Sequence, residues 1–101
     1  MTYVRMFLTA LDPSDVDTVR DTVLAEIKPV FEALDSCLSV DLLVSIEQNA
    51  GGLVDGCILS RWDSLDDLRE AVSSPEILDA VNRLRPLLRQ EPIGRIYELV
   101  G

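Results

Sequence analysis

The fold depends most on residues 57–70, which read Cys-Ile-Leu-Ser-Arg-Trp-Asp-Ser-Leu-Asp-Asp-Leu-Arg-Glu. The apolar run from Cys57 to Trp62 is too short for a helix and is typical of a strand. Ser64 is a preferred N-cap, and Asp67 three residues later predicts an aspartate variant of the capping box. The stretch therefore predicts a strand that ends at the only tryptophan of the chain, followed at once by a helix.

Hydrophobic periodicity on either side of this stretch extends its strand back to residue 53 and predicts three further strands and two further helices. The predicted strands are residues 2–11, 38–47, 53–62 and 93–100. The predicted helices are residues 16–34, residues 65–72 and a third that begins at Ser74 and Pro75. Pro29 lies inside the first helix and predicts a kink, because it removes a backbone hydrogen bond. Gly56 predicts a bulge in the third strand.

The resulting order, β-α-β-β-α-β, is that of an α+β, ferredoxin-like fold with one four-stranded antiparallel sheet. If the helices pack on one face of that sheet, the other face is left uncovered. Its predicted apolar members are Val4, Met6, Leu8, Leu43 and Leu59. A bare apolar face of this size indicates a partner, and we expect a second copy of the chain to cover it in a two-fold homodimer.

Composition predicts one globular domain spanning residues 1–101. Apolar residues make up 48% of the chain and charged residues 27%, which is typical of a sequence that buries a core. The formal net charge of −9 argues against nucleic acid, whose binding needs clustered lysine and arginine, and against anionic membranes. The expected ligand is a small apolar or aromatic molecule, in an apolar pocket at the end of the third strand, where Trp62 meets the following helix.

Histidine is absent, which removes the commonest general base and the commonest haem and metal ligand. Cys37 and Cys57 lack the spacing of metal ligands, and we expect two buried thiols in a reducing compartment. We therefore expect no metal site. The chain begins with no basic segment followed by an apolar core, and no apolar run is long enough to span a membrane, which predicts a cytoplasmic protein.

Residues 38–43 and 60–68 resemble the antibiotic-biosynthesis monooxygenase family. The second run is similar to that family's Trp-acid-Ser step from the third strand into a helix. Residues 73–75 are similar to the break between its two late helices, and the resemblance extends over the whole chain in element order. It implies an antibiotic-biosynthesis-monooxygenase-like domain over residues 1–101 that forms a dimeric α+β barrel.

The resemblance implies a cofactor-independent monooxygenase that acts on a small aromatic or polyketide-like substrate with O₂, without metal or flavin. The quinone-forming branch of the family matches at Trp62, whereas its other polar positions fall at Ile58, Leu68 and near Asn82. Those mismatches leave the catalytic residues unassigned. They also keep open the alternative of a non-catalytic, small-ligand-binding dimer with the same fold.

The haem-degrading branch of the family is not predicted. Its asparagine, tryptophan and histidine positions fall near Arg5, Ala71 and Val81, so none of the three residue types is retained. With no histidine in the chain, the resemblance implies no haem ligand by this route.

Six residues are expected to contact the substrate on the helix-facing side of the sheet. They are Trp62, Arg5, Phe7, Ile58, Leu68 and Asn82. Arg5 is a charge inside an apolar strand, so it must be paired with an acid or face a ligand. One interpretation is an ion pair with Glu98 or Glu47. The other is an anchor for a carboxylate, phenolate or enolate oxygen, in one cavity that Arg5 shares with the indole of Trp62.

Overall fold

A four-stranded antiparallel sheet with helices on one face forms the protein, and the computed structural model describes residues 1–101. The strands are β1 (Tyr3–Leu11), β2 (Cys37–Gln48), β3 (Val54–Trp62) and β4 (Ile93–Glu98). The helices are α1 (Val16–Thr22), α2 (Lys28–Glu32), α3 (Leu65–Val72) and α4 (Pro75–Asn82). Short 3₁₀ turns lie at Pro13–Asp15 and Arg85–Leu87. The predicted ferredoxin-like α+β order is confirmed.

The sheet order is β2-β3-β1-β4, so β1 lies in the middle with β3 and β4 as its antiparallel neighbours. In the register of β1, Phe7 lies opposite Ile58 of β3 and Gly94 of β4. Because side chains alternate across a strand, this register assigns every residue to one of two faces. Arg5 and Trp62 both lie on the helix-facing side, as predicted.

The first helical segment is interrupted where the sequence predicts a kink. Between α1 and α2 the backbone forms a π-helical turn at Val23–Ile27, and Pro29 lies in the first turn of α2. Proline has no N–H to donate to the preceding turn, and the wider turn accommodates that loss. Val23 and Ile27 remain buried, so the interruption keeps the apolar stripe against the sheet.

Serine side chains begin both later helices, as the sequence predicts. Ser64 Oγ accepts a hydrogen bond from the backbone N–H of Asp67, and Ser74 Oγ accepts one from that of Ile77. The expected reciprocal hydrogen bond, from the backbone N–H of Ser64 to the Asp67 carboxylate, does not form. The Asp67 carboxylate instead accepts a hydrogen bond from Ser36 Oγ. Asp67 therefore ties α3 to the loop that follows α2.

The bulge that the sequence predicts at Gly56 lies instead on the neighbouring strand. The β2–β3 register is regular from Ser39 to Val44 and shifts between Val44 and Gln48, opposite Gly56. A β-carbon at Gly56 would lie 3.1 Å from Leu11 Cδ1, so the glycine is explained by the close approach of β1. The extra residues lie in β2, between Val44 and Gln48.

The two faces of the sheet differ in what covers them. The helix-facing side carries a single core cluster whose largest fully buried side chains are those of Trp62 and Phe31. On the opposite side Val4 is buried, contrary to expectation, whereas Leu43, Ile93 and Tyr97 are 47%, 41% and 46% exposed. We call this side the free face. None of the helices is both long and apolar enough to cross a membrane.

Candidate functional site

Trp62 belongs to the core of the helix-facing side. Its side chain is 1% exposed and packs against Phe31, with ring centroids 6.3 Å apart and planes inclined by 58°. The indole Nε1 donates a hydrogen bond to Ser60 Oγ over 2.9 Å. The only polar atom of the indole is therefore satisfied within the protein, and the ring has no free donor to offer a ligand.

The cavity beside Trp62 is large, open and acidic. It has a volume of about 600 Å³ and lies between the end of α2, one side of α3 and the first turn of α4. Its carboxylates come from Asp35, Asp67, Glu70 and Glu76. Arg5 does not line it, so the expected single cavity shared by Trp62 and Arg5 is wrong. The two side chains share a sheet face, but they face different spaces.

A second, more enclosed cavity of about 100 Å³ lies between β1 and α4, and we call it the Arg5 cavity. Its apolar wall is lined by Phe7, Val72, Ile77, Leu78, Val81, Leu88 and Pro92. Its polar groups are those of Arg5, Asn82 and Arg85. No carboxylate lines it. The charged groups that line the cavity are therefore all positive, although the chain as a whole has a net charge of −9.

The guanidinium of Arg5 has no acidic partner in the protein. The four ion pairs of the chain involve other arginines, so the expected pair with Glu98 or Glu47 is wrong. The remaining arginines that lack an ion pair, Arg61, Arg69 and Arg95, are exposed to water, whereas Arg5 is only partly exposed. Burial lowers the pKa of Arg5, although arginine stays charged in proteins.

Arg5 is held between an aromatic ring and a glycine. Its Cζ lies 5.9 Å from the centroid of the Phe7 ring, within the range of a cation–π contact. Its Nη2 lies 2.7 Å from the point that a β-carbon on Gly94 would occupy. Any larger residue at position 94 would displace the guanidinium, so Gly94 provides the space in which Arg5 lies across β4.

Asn82 and Arg85 form the exposed rim of the Arg5 cavity. Arg85 Nε donates a long hydrogen bond of 3.5 Å to Asn82 Oδ1, and Arg85 Nη1 lies 3.8 Å from Glu91 Oε1. The Arg85–Glu91 ion pair is solvent-exposed and contributes little to stability. Arg85 can therefore turn toward a ligand at low cost in free energy.

The six predicted site residues separate into two groups in the structure. Arg5, Phe7 and Asn82 line the Arg5 cavity. Trp62, Ile58 and Leu68 are core residues with exposures of 1%, 4% and 0%. Sequence reasoning missed Gly94, because its place beside Arg5 depends on the pairing of β4 with β1, which no local pattern indicates.

The chemistry available in the Arg5 cavity is stabilisation of negative charge. The guanidinium of Arg5 is a permanent donor, and neither an imidazole nor a carboxylate is present there to accept a proton. No group of three or more His, Cys, Asp or Glu side chains is arranged to hold a metal ion. The side chains of this cavity can bind, orient and stabilise an anion.

No family model and no curated protein sequence matches the chain. Solved structures do match it in fold. A protein from Nitrosomonas europaea, described as a candidate antibiotic biosynthesis monooxygenase, superposes with a TM-score of 0.73 at 11% identity, covering 98% of this chain and 90% of that one. A protein of the same description from Chloroflexus aurantiacus J-10-fl gives 0.64 at 23% identity, covering 100% and 95%.

A third similar structure comes from Bacteroides fragilis NCTC 9343 and is described as a dimeric protein of unknown function with a ferredoxin-like fold. It superposes with a TM-score of 0.71 at 17% identity, covering 97% of this chain and 96% of that one. Several of the structures that share this fold are thus named antibiotic biosynthesis monooxygenases. At these identities the likeness establishes the shared fold.

Proposed function

We propose that the chain is a cofactor-independent monooxygenase of the antibiotic-biosynthesis monooxygenase type, acting on a small aromatic or polyketide-like substrate. The observation that carries this proposal is the partly buried, unpaired guanidinium of Arg5 inside an apolar cavity. A partly buried charge costs free energy unless it is compensated, and a substrate oxygen supplies the missing partner. The names of the proteins that share the fold support the reaction class.

The proposed reaction needs no external reductant. A ring methylene of the substrate reacts with O₂, one oxygen atom becomes the new carbonyl, and the other leaves as water with the two methylene hydrogens. The substrate supplies all the electrons, through the carbanion that forms when a ring C–H proton is lost. Delocalisation places the charge of that carbanion on a ring oxygen, where a positioned cation stabilises it.

The residues of the Arg5 cavity have distinct roles in this proposal. Arg5 holds the ring oxygen and stabilises its charge, and Phe7 with Val81 forms the apolar wall against the ring. Asn82 contacts the polar edge of the substrate at the rim. Ile58, Leu68 and Trp62 are buried in the core, and the proposal gives them no contact with the substrate.

A non-catalytic, small-ligand-binding dimer is the second candidate function. The observation that favours it is the absence of any carboxylate or imidazole in the Arg5 cavity. Without a group that accepts a proton, only substrates acidic enough to ionise in water can react. A protein that binds such molecules without converting them would have the same cavity.

Oxygen uptake separates the two functions. The purified protein is mixed with single-ring 1,3-diketones such as cyclohexane-1,3-dione, whose acidic ring methylene ionises in water, and O₂ consumption is followed with an electrode against the uncatalysed rate. Stoichiometric O₂ consumption that is lost in Arg5→Met and kept in Arg83→Met supports the monooxygenase, because Arg83 pairs with Glu26 outside the cavity. Binding of these molecules without O₂ consumption supports the ligand-binding dimer.

We also propose that the chain works in the cytoplasm as a single domain that forms a homodimer through the free face. The dimeric Bacteroides fragilis protein supports self-association of this fold. The free face supports it independently, because apolar residues such as Leu43 remain exposed there in the isolated chain. Both cysteines are free thiols, and only Cys57 is buried, so the expectation of two buried thiols is wrong for Cys37, which is partly exposed.

A further inference from the structure

We infer that the Arg5 cavity selects a single-ring aromatic anion, a phenolate or carboxylate whose charged oxygen contacts the Arg5 guanidinium, and that Gly94 positions that guanidinium. This inference rests on the proposed function only in placing the substrate in this cavity. It adds the charge and size of the ligand, and a positioning role for a residue that cannot itself contact a substrate through a side chain.

The charge of the ligand follows from the charges that line the cavity. Two arginines, Arg5 and Arg85, line it and no acid does, although acidic residues outnumber basic ones 18 to 9 in the chain. The nearest compensation is Glu91, 3.8 Å from Arg85 on the exposed rim. Arg5 has no such partner, so an entering anion meets one permanent, uncompensated cation.

The ionisation of the ligand follows from the missing base. No carboxylate or imidazole lines the cavity, so a bound phenol cannot transfer its proton to a side chain there. A nearby cation favours the charged form of an acid and lowers its pKa. The Arg5 cavity therefore binds the ionised ligand and shifts the ionisation of a weak acid toward neutral pH.

The size of the ligand follows from the cavity volume. The volume is about 100 Å³. An engineered apolar cavity of about 150 Å³ accommodates benzene, and drug-sized pockets span about 300–1,000 Å³. The Arg5 cavity is smaller than the one that encloses benzene, so a single ring enters it only in part, with its outer edge at the rim formed by Asn82 and Arg85, whereas a fused three-ring system does not fit within the walls.

Gly94 decides where the cation lies. A β-carbon at this position would fall 2.7 Å from Arg5 Nη2, well inside van der Waals contact. Gly94 lies on β4, whose residues are all exposed, so a methyl group there displaces the guanidinium without disturbing the core. Gly94→Ala therefore changes the position of the charge while the residues of the core stay the same.

The test uses 4-nitrophenol, which ionises near neutral pH and whose phenolate absorbs visible light, with non-ionisable 4-nitroanisole as the matched neutral probe. Absorbance titrations over a pH series give both the dissociation constant and the pKa of the bound phenol. The protein is compared with Arg5→Met, Arg5→Lys, Gly94→Ala and the control Arg83→Met, and circular dichroism verifies that each is folded.

The expected result is preferential binding of the phenolate and a lowered pKa of bound 4-nitrophenol in the wild type and in Arg83→Met. Loss of one charge-assisted hydrogen bond predicts binding about tenfold or more weaker in Arg5→Met, with the pKa shift abolished. Gly94→Ala is expected to reduce the pKa shift. Arg5→Lys keeps the positive charge but lacks the planar guanidinium, so it should retain part of the pKa shift of bound 4-nitrophenol.

Equal binding of 4-nitroanisole and 4-nitrophenolate, no binding of either, or a pKa shift that survives Arg5→Met would overturn the inference. A pKa shift unchanged in Gly94→Ala would remove the positioning role of Gly94. These outcomes are independent of O₂ uptake. Oxidation of an uncharged substrate would support the monooxygenase function and contradict the selection of an anionic ligand. Binding of the phenolate without O₂ uptake would support the selection of an anion and contradict the monooxygenase function.

Discussion

The Nε1 of Trp62 and the Oγ of Ser60 lie 2.9 Å apart on the same face of β3, and both side chains are only 1% exposed. Residues two apart on a strand share a face, so the strand itself brings this donor and acceptor together. The hydrogen bond lets a bulky, amphipathic ring be fully buried without an unsatisfied N–H. The contact makes Trp62 a structural residue in the isolated chain.

Ser60→Ala tests this contact. The substitution leaves the indole N–H buried without an acceptor, which predicts a loss of about 1–3 kcal/mol in the free energy of unfolding. Urea unfolding followed by the fluorescence of the single tryptophan measures it. Ser73→Ala removes an exposed hydroxyl at the end of α3 and should cost much less. Equal losses in the free energy of unfolding of the two variants would show that the buried hydrogen bond contributes no more to stability than an exposed one.

Arg5→Met should stabilise the protein in the absence of ligand. Methionine keeps much of the side-chain volume and removes a partly buried charge that has no acidic partner, which predicts a gain of about 1 kcal/mol in the free energy of unfolding. Urea unfolding without ligand measures the gain. Arg83→Met, which breaks the exposed pair with Glu26, should leave stability nearly unchanged. A marked loss of stability in Arg5→Met would show that Arg5 supports the fold.

Leu43→Lys should abolish the proposed dimer. Leu43 is 47% exposed on the free face, and burying a lysine there against a second copy would leave its charge unpaired. Sedimentation or light scattering should give twice the chain mass of 11.2 kDa for the wild type and the chain mass for the variant. A standard interface of this kind removes about 1,600 Å² of surface from solvent.

Leu24→Lys is the matched control for the dimer, because Leu24 is 55% exposed on the helical side of the molecule. It should leave the mass of the wild type unchanged. A wild-type particle of 11.2 kDa at micromolar concentration would contradict the dimer outright. Dissociation of both variants alike would place the interface elsewhere than on the free face.

The thiols of Cys37, which is partly buried, and Cys57, which is buried, should weaken the fold at alkaline pH. Burial raises the pKa of both Cys37 and Cys57, so the folded state favours the protonated thiols. Their effect is absent below the ordinary thiol pKa of about 8.5 and grows as the pH rises through the folded values. The double variant Cys37→Ala/Cys57→Ala should therefore lose less stability than the wild type above about pH 8.5. If urea unfolding shows that the wild type and the double variant lose the same stability as the pH rises, the prediction is wrong.

Local pattern was enough to predict the elements of this fold. The alternation of apolar residues marked the strands, and side-chain chemistry marked the helix starts at Ser64 and Ser74. Pro29 marked the interruption of the first helical segment, because the missing N–H acts through neighbours within a few residues. The free face also followed from alternation, since each strand has only two sides.

The site depended on contacts that local pattern does not contain. Arg5 and Trp62 share a sheet face by strand alternation, which the sequence determined, but how α3 and α4 pack over that face divides the space between them into two cavities. The pairing of β4 with β1 brings Gly94 under the Arg5 guanidinium, although the two residues are far apart in the chain. Such contacts are set by packing and register across the whole sheet, so only the tertiary structure decided which charge is left unpaired and where.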